Sequence, residues 1–269
     1  MPYLPLAREA GRIHVCGHRG HSAGAPENTL PALRAAAELG ATVAEVDVVL
    51  TRDGEIVLLH DEILDRTTNG KGPVAELTLA EVKRLDAGAW FGPEFAGTAV
   101  PTLHEVLATA RDAGMGLLVE SKERQRPDLM EERLVRLLQS ENAIDDVLVI
   151  SFDHVWLLAL KECCPAIRTE LITHARHVDL PTIATRARAA SVAIEWDMFH
   201  ADDSHALHTA GIAVRVTLPS PERLALRQTY GFADEARIAA HLAAGEIDVL
   251  AGDDVALPAG LVGAASQRV

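Results

Sequence analysis

The 269-residue sequence predicts a single closed (β/α)8 TIM barrel with a small insertion after the second strand, and three observations carry that expectation. Short runs rich in Val, Ile and Leu recur near residues 13–17, 43–50, 116–121, 147–152, 168–172, 191–196, 212–217 and 247–251. Segments of helical period lie between them, near 29–39, 103–113, 128–140, 154–163, 182–190, 203–210 and 234–244. This is the alternation of repeated βα units around a parallel sheet. No Gly-x-Gly-x-x-Gly follows the first run, so an open dinucleotide-binding sheet loses support. Barrels of this kind take about 250 residues, and no linker divides the chain, so residues 1–269 read as one domain.

Taken in order, the first run ends in Cys16-Gly17-His18-Arg19-Gly20-His21, and Ala25-Pro26-Glu27-Asn28-Thr29 leads into the first helix. Several helices stop beside a glycine, at Gly40, Gly114, Gly211 and Gly245, which is common helix-ending chemistry. The second run, Val43 to Leu50, places Glu45 and Asp47 on one face because strand side chains alternate. Asp53-Gly54 then predicts a two-residue hairpin loop, with Arg52 opposite Glu55 and His60 opposite Asp47. A longer or bulged loop would slip that register. About fifty residues, 51 to 102, separate this strand from the next helix and hold Arg66-Thr67-Thr68-Asn69-Gly70 and Trp90-Phe91-Gly92-Pro93. Loops after barrel strands build the active face, so this insertion lies beside the site. The third run ends Val119-Glu120-Ser121-Lys122, and an irregular stretch from Leu218 to Phe232 follows the seventh.

Bulk composition narrows the function classes. A net charge of −14 disfavours nucleic acid and an anionic membrane as partners, so a phosphate-bearing substrate must be met by local positive charge. No apolar run approaches the roughly 20 residues that span a bilayer. Met1 to Ile13 carries Arg8, Glu9 and Arg12 without an apolar block, which argues against a signal peptide and makes a cytoplasmic location the simplest. Three cysteines, two of them adjacent at Cys163-Cys164, suit neither a disulfide framework nor zinc spacing and read as buried thiols.

In one parallel barrel the strand ends gather His18, Arg19, Glu45, Asp47, His60, Glu120 and Lys122. Three carboxylates in one place repel each other unless a cation neutralises them, and oxygen-only ligands suit a hard ion, Mg2+ or Ca2+. Arg19 and Lys122 supply charge for a phosphate. Two imidazoles complete an acid and a base near neutral pH, which together equips the site to cleave a phosphodiester. Each piece alone has a plainer explanation: Glu-x-Asp as a solvent-facing stripe, His60-Asp61 as a polar hairpin end, Glu120-x-Lys122 as a local ion pair. Their coincidence at strand ends lifts the set. His14, His104, His154, His174, His177, His205, His208 and His241 lack partner spacing and read as surface or satisfied polar groups. Trp196 and Met198 read as packing, and Glu123 to Arg126 as a solvated charge run.

These residues resemble the glycerophosphodiester phosphodiesterase family. The match comprises Gly17-His18-Arg19-Gly20, Pro26-Glu27-Asn28-Thr29, Glu45-x-Asp47-x-x-Leu50-Thr51-x-Asp53-Gly54, His60-Asp61, Leu64-x-Arg66-Thr67-Thr68, Pro101-Thr102-Leu103 and Glu120-x-Lys122, with Ser151-Phe152-Asp153 as a weaker extension. The resemblance implies a divalent cation and hydrolysis of a small glycerophosphodiester to sn-glycerol 3-phosphate and an alcohol. It implies Glu45, Asp47 and Glu120 as metal ligands, His18 and His60 as the acid/base pair, and Arg19 and Lys122 as phosphate contacts. The attacking oxygen would come from water or from the neighbouring glycerol hydroxyl. The C-terminal half departs from the pattern. Arg215 stands where the family commonly has an aromatic pocket residue, so Arg215 is expected to line the substrate pocket and favour a more anionic or polar group. Two rival readings are a phospholipase D-like enzyme acting on lysophospholipids or sphingomyelin, and a non-catalytic metal- or phosphate-binding barrel.

Overall fold

The β-branched and apolar runs form nine strands among residues 12–266, which the computed structural model describes. They are β1 (His14–Gly17), β2 (Val43–Leu50), β3 (Ile56–Leu58), β4 (Gly116–Ser121), β5 (Val147–Ser151), β6 (Arg168–Thr173), β7 (Ser191–Glu195), β8 (Ala213–Thr217) and β9 (Val249–Gly252). Eight of them are parallel and close into a barrel in the order β1-β2-β4-β5-β6-β7-β8-β9, with β9 returning to β1. The signal-peptide reading of the N-terminus rests on residues that lie, up to Gly11, outside the described ones.

Helices cover the outside: α1 (Leu30–Glu38), α2 (Leu79–Val82), α3 (Leu103–Asp112), α4 (Pro127–Ser140), α5 (His154–Cys163), α6 (Leu180–Arg186), α7 (Ala201–Thr209), α8 (Pro221–Thr229), α9 (Asp234–Ala243) and α10 (Ala256–Ser266). Their starts are chemically marked. Thr102 and Glu105 form a capping box at α3, and Asp153 accepts from the N–H groups of Val155 and Trp156 at α5. Because strand side chains alternate, each strand feeds two cores. Val46, Val48, Leu117, Val119 and Val149 point outward to meet Leu33, Leu107, Leu134 and Leu157 from the helices. Each fully buried leucine there contributes about 1.5–3 kcal/mol relative to exposure. Cys16, Val43, Leu118, Leu148, Ile150, Val249 and Ala251 fill the barrel floor. Burial pushes the Cys16 thiol up to about 12, so it is an inert filler. Cys164 is buried as expected, whereas Cys163 is exposed.

The hairpin departs from expectation. Its ladder pairs Val48 with Leu58, Val49 with Val57 and Leu50 with Ile56, one residue away from the predicted register. The loop has three residues: Thr51 N–H donates to Glu55 O at 3.0 Å, Gly54 N–H donates to Thr51 O at 3.0 Å, and Gly54 takes φ 78°. Asp-Gly fits this turn as well as a two-residue one, because the glycine supplies the left-handed position either way. Leu59 therefore faces Asp47, and His60 lies beyond β3 in a bend. Val48 also pairs with Ser121 of β4, so β3 occupies the other edge of β2, above the end of β1.

Residues 51–102 build a small core of Val57, Leu59, Leu64, Val74, Val82, Ala87 and Val100 against Val49 of β2. The stretch after β8 is not irregular throughout, since Ser220 caps α8 with Pro221 at its first position. Nor is Glu123 to Arg126 merely solvated: Arg126 donates to Leu50 O and Thr51 O at 2.8 and 2.9 Å and so ties down the top of β2.

Candidate active site

Strand parity and parallel register bring the three acids together. Asp47 and Glu120 are direct neighbours in the β2–β4 ladder, and Glu45 lies on the same face of β2 as Asp47. All three are buried, and one oxygen from each lies within 4.8 Å of the others. The β1 loop steers them. Arg19 and Asn28 adopt left-handed backbone conformations, φ 58° and 57°. The Arg19 N–H donates to Glu45 Oε2 at 2.9 Å. Asn28 donates through Nδ2 to Asp47 Oδ2 at 2.8 Å and accepts the Asp47 N–H at 2.9 Å.

Two buried oxygens, Glu45 Oε1 and Asp47 Oδ1, make no hydrogen bond, although Asp47 Oδ1 has the Lys122 ammonium as an ion-pair neighbour. Buried polar atoms are ordinarily paired, and a hard, oxygen-only donor set of this kind fits a divalent cation of the Mg2+ or Ca2+ type. Burial, then the Asp47 charge, push the Glu45 carboxyl up to about 7, against the pull of His18. Burial opposes ionisation of Asp47 too, but Lys122, Arg19 and His60 together hold it below the usual carboxylate range. Lys122 Nζ lies 3.2 Å from Asp47 Oδ1 and donates to Glu120 Oε1. Burial would lower that ammonium, yet the two carboxylates raise it.

His18 and His60 both line a cavity of about 350 Å3 together with Arg19, Glu45, Glu120 and Lys122. His18 Nδ1 is 2.6 Å from Asp253 Oδ1, and its Nε2 is 3.9 Å from Glu45 Oε2. Burial alone would lower His18, but the Asp253 hydrogen bond and the Glu45 charge raise it. His60 Nδ1 is 2.7 Å from Asp61 Oδ1. Thus six of the seven polar residues gathered by the sequence reading line this cavity, with Asp47 buried beside them in the acidic triad, and His60 arrives through the bend rather than the ladder.

The opposite wall comprises Phe152, His174, Glu195, Trp196, Arg215 and Arg223. Arg215 lines the cavity floor but is only 3% exposed. Its Nε and one terminal nitrogen each lie 2.8 Å from Glu170 Oε1, while Ser191 donates to Glu170 Oε2 at 2.8 Å. Its charge is thereby balanced within the barrel.

The model of the glycerophosphoryl diester phosphodiesterase family matches residues 18–223. The chain belongs to this family. A glycerophosphodiester phosphodiesterase of Caldanaerobacter subterraneus subsp. tengcongensis is 41% identical over 180 residues, covering 66% of this chain and 74% of the relative. One from Bacillus subtilis is 33% identical across 68% of this chain and 67% of its own length. An Oleispira antarctica phosphodiesterase, solved in complex with the product sn-glycerol-3-phosphate, aligns with a TM-score of 0.79 at 28% identity, over 97% of this chain and 99% of that one.

For this glycerophosphodiester phosphodiesterase family member, sequence reasoning missed two cavity-lining groups, Asp253 and His174, and the ion pairs of Glu27. Asp253 reaches His18 across 235 positions, a distance at which no spacing rule operates. His174, read as a satisfied polar residue, lines the cavity and lies 2.6 Å from Glu195 through Nδ1. Glu27 was noted only as part of a motif, although it accepts hydrogen bonds from both Arg19 and Arg66. Trp196 is buried as expected and also borders the cavity.

Proposed function

We propose that the protein hydrolyses small glycerophosphodiesters to sn-glycerol 3-phosphate and an alcohol, with Glu45, Asp47 and Glu120 holding one divalent cation, Mg2+ or Ca2+. The observation that carries this reading is the buried triad, in which Glu45 Oε1 and Asp47 Oδ1 lack hydrogen bonds, beside two histidines that share one cavity. When bound, the cation would polarise a phosphoryl oxygen and balance charge developing in the transition state. Arg19 and Lys122 flank that position and orient the phosphate. The attacking oxygen, from water or from the neighbouring glycerol hydroxyl through a cyclic phosphate, gives its proton to one histidine. The other histidine protonates the leaving alkoxide.

Asp253 and Asp61 each accept from an Nδ1–H in this scheme, which leaves Nε2 of both rings to exchange protons. Arg215 enters the reading as a floor residue offering hydrogen bonds to a polar substrate group, rather than as a net positive charge, since Glu170 already balances it. No described helix is long and apolar enough to cross a membrane, and a cytoplasmic location remains part of the proposal. His18→Ala and His60→Ala are each expected to lower turnover by about 100-fold or more while Mg2+ or Ca2+ binding persists. Steady-state kinetics on a glycerophosphodiester panel, paired with titration calorimetry of the cation, checks this; normal turnover in either variant overturns its role.

A further inference from the structure

We propose that Arg66, carried on the insertion, is the positioning residue of His60: it fixes Asp61, and through Asp61 the imidazole, against Glu27 in the β1 loop. This rests on the reading of His60 as one of the proton-transfer pair. Arg66 uses three donors at once. Its Nε donates to Asp61 Oδ2 at 2.6 Å, and its two terminal nitrogens donate to the two oxygens of Glu27 at 2.7 and 2.9 Å. A guanidinium is a rigid planar fork, so engaging both carboxylates dictates where Asp61 stands relative to Glu27. Glu27 is itself fixed from the other side by Arg19 at 2.9 Å, whose Nε lies 3.3 Å from the metal-site residue Asp47. Alternating charges therefore run from Asp47 through Arg19, Glu27, Arg66 and Asp61 to His60.

The carrier of Arg66 is pinned. Ile63 bridges to Pro73, Leu64 N–H donates to Gly72 O at 3.0 Å, and Thr68 Oγ1 donates to Leu64 O at 2.7 Å. The Arg66 hydrogen bond, followed by that of His60, holds Asp61 down at about 2 although partial burial opposes ionisation. Asp61 is thus a constant acceptor across the neutral range. His60 borders the cavity, whereas Arg66, Asp61 and Glu27 do not, so Arg66 acts through another residue and not on substrate. Its side chain is 44% exposed, and exposed ion pairs add little to folding stability. The consequence of its geometry falls on catalysis.

The test places Arg66→Gln and Arg66→Lys in the full chain, alone and combined with His60→Ala, with saturating Mg2+ and a glycerophosphocholine diester as substrate. Arg66→Gln is expected to lower kcat about 10- to 100-fold with KM nearly unchanged, Asp61→Asn to match it, and Arg66→Lys to recover part of the loss. In the His60→Ala background, Arg66→Gln should cost nothing further, because groups acting as one unit are not additive. An equal fold-loss in both backgrounds would show a merely structural clamp and overturn the proposal. So would full kcat in Arg66→Gln while His60→Ala is inactive. Full activity of His60→Ala itself would instead remove the underlying role of His60, and this proposal with it.

Discussion

The two sides of the barrel mouth are both rich in charge, but they answer it differently. On the β1–β4 side, Glu45 and Asp47 each keep a buried oxygen without a hydrogen bond, and burial pushes Glu45 up to about 7. On the β6–β8 side, Glu170 is met by Arg215 and Ser191, and Asp197 is shared by Arg223 and Arg227. A buried carboxylate oxygen without a hydrogen bond is costly, and such atoms cluster at functional sites. Balanced charge makes a wall. The contrast sets a crowded acid cluster, to which the proposed chemistry belongs, against a wall of balanced ion pairs.

Removing one carboxylate from each side should give opposite results. Glu45→Gln is expected to abolish cation binding by calorimetry and to lower turnover by about 1,000-fold, roughly 4 kcal/mol of transition-state stabilisation, with little harm to the fold. Glu170→Leu strands Arg215 as a buried, unpaired charge and should cost about 3–5 kcal/mol in urea unfolding, leaving cation affinity near that of the parent. Adding Arg215→Met to Glu170→Leu should restore most of that stability. If Glu45→Gln unfolds the protein while Glu170→Leu is neutral, the contrast collapses.

A smaller effect concerns pH. In the cation-free protein, folded Glu45 keeps its proton between the ordinary carboxyl value of 4.5 and about 7, a window in which the unfolded chain has lost it. The folded state binds more protons there, so stability is full below about 4.5 and falls as pH rises towards 7. The raised His18 adds a slope of the same sign. Thermal melts in EDTA from pH 5 to 8 should therefore drift downward, less steeply in Glu45→Gln, and saturating Mg2+ should remove most of the drift. A slope unchanged by Glu45→Gln would sink the assignment.

What was legible in the sequence followed from local rules. Strand parity alone put Glu45 beside Asp47, and the βα alternation placed Glu120 and Lys122 at the same end of the barrel. Partners set by long-range register were not legible. Glu170 and Arg215 are 45 positions apart on strands that are not adjacent, and nothing local tells that they meet inside the barrel. The hairpin register was misjudged because Asp-Gly serves loops of two lengths, yet His60 still reaches the cavity since the chain bends immediately after β3. Helix α10 escaped notice because its Ala- and Gly-rich sequence has little polar contrast to reveal a period.

The insertion leaves and re-enters the barrel at one place. Val57 bridges to Thr102, and Leu58 N–H donates to Pro101 O at 2.9 Å, so the chain between them forms a handle with its two ends stitched together. Closing a loop grows costlier only slowly with length. The handle can therefore lengthen or shorten without disturbing the order of the strands to which its ends are stitched.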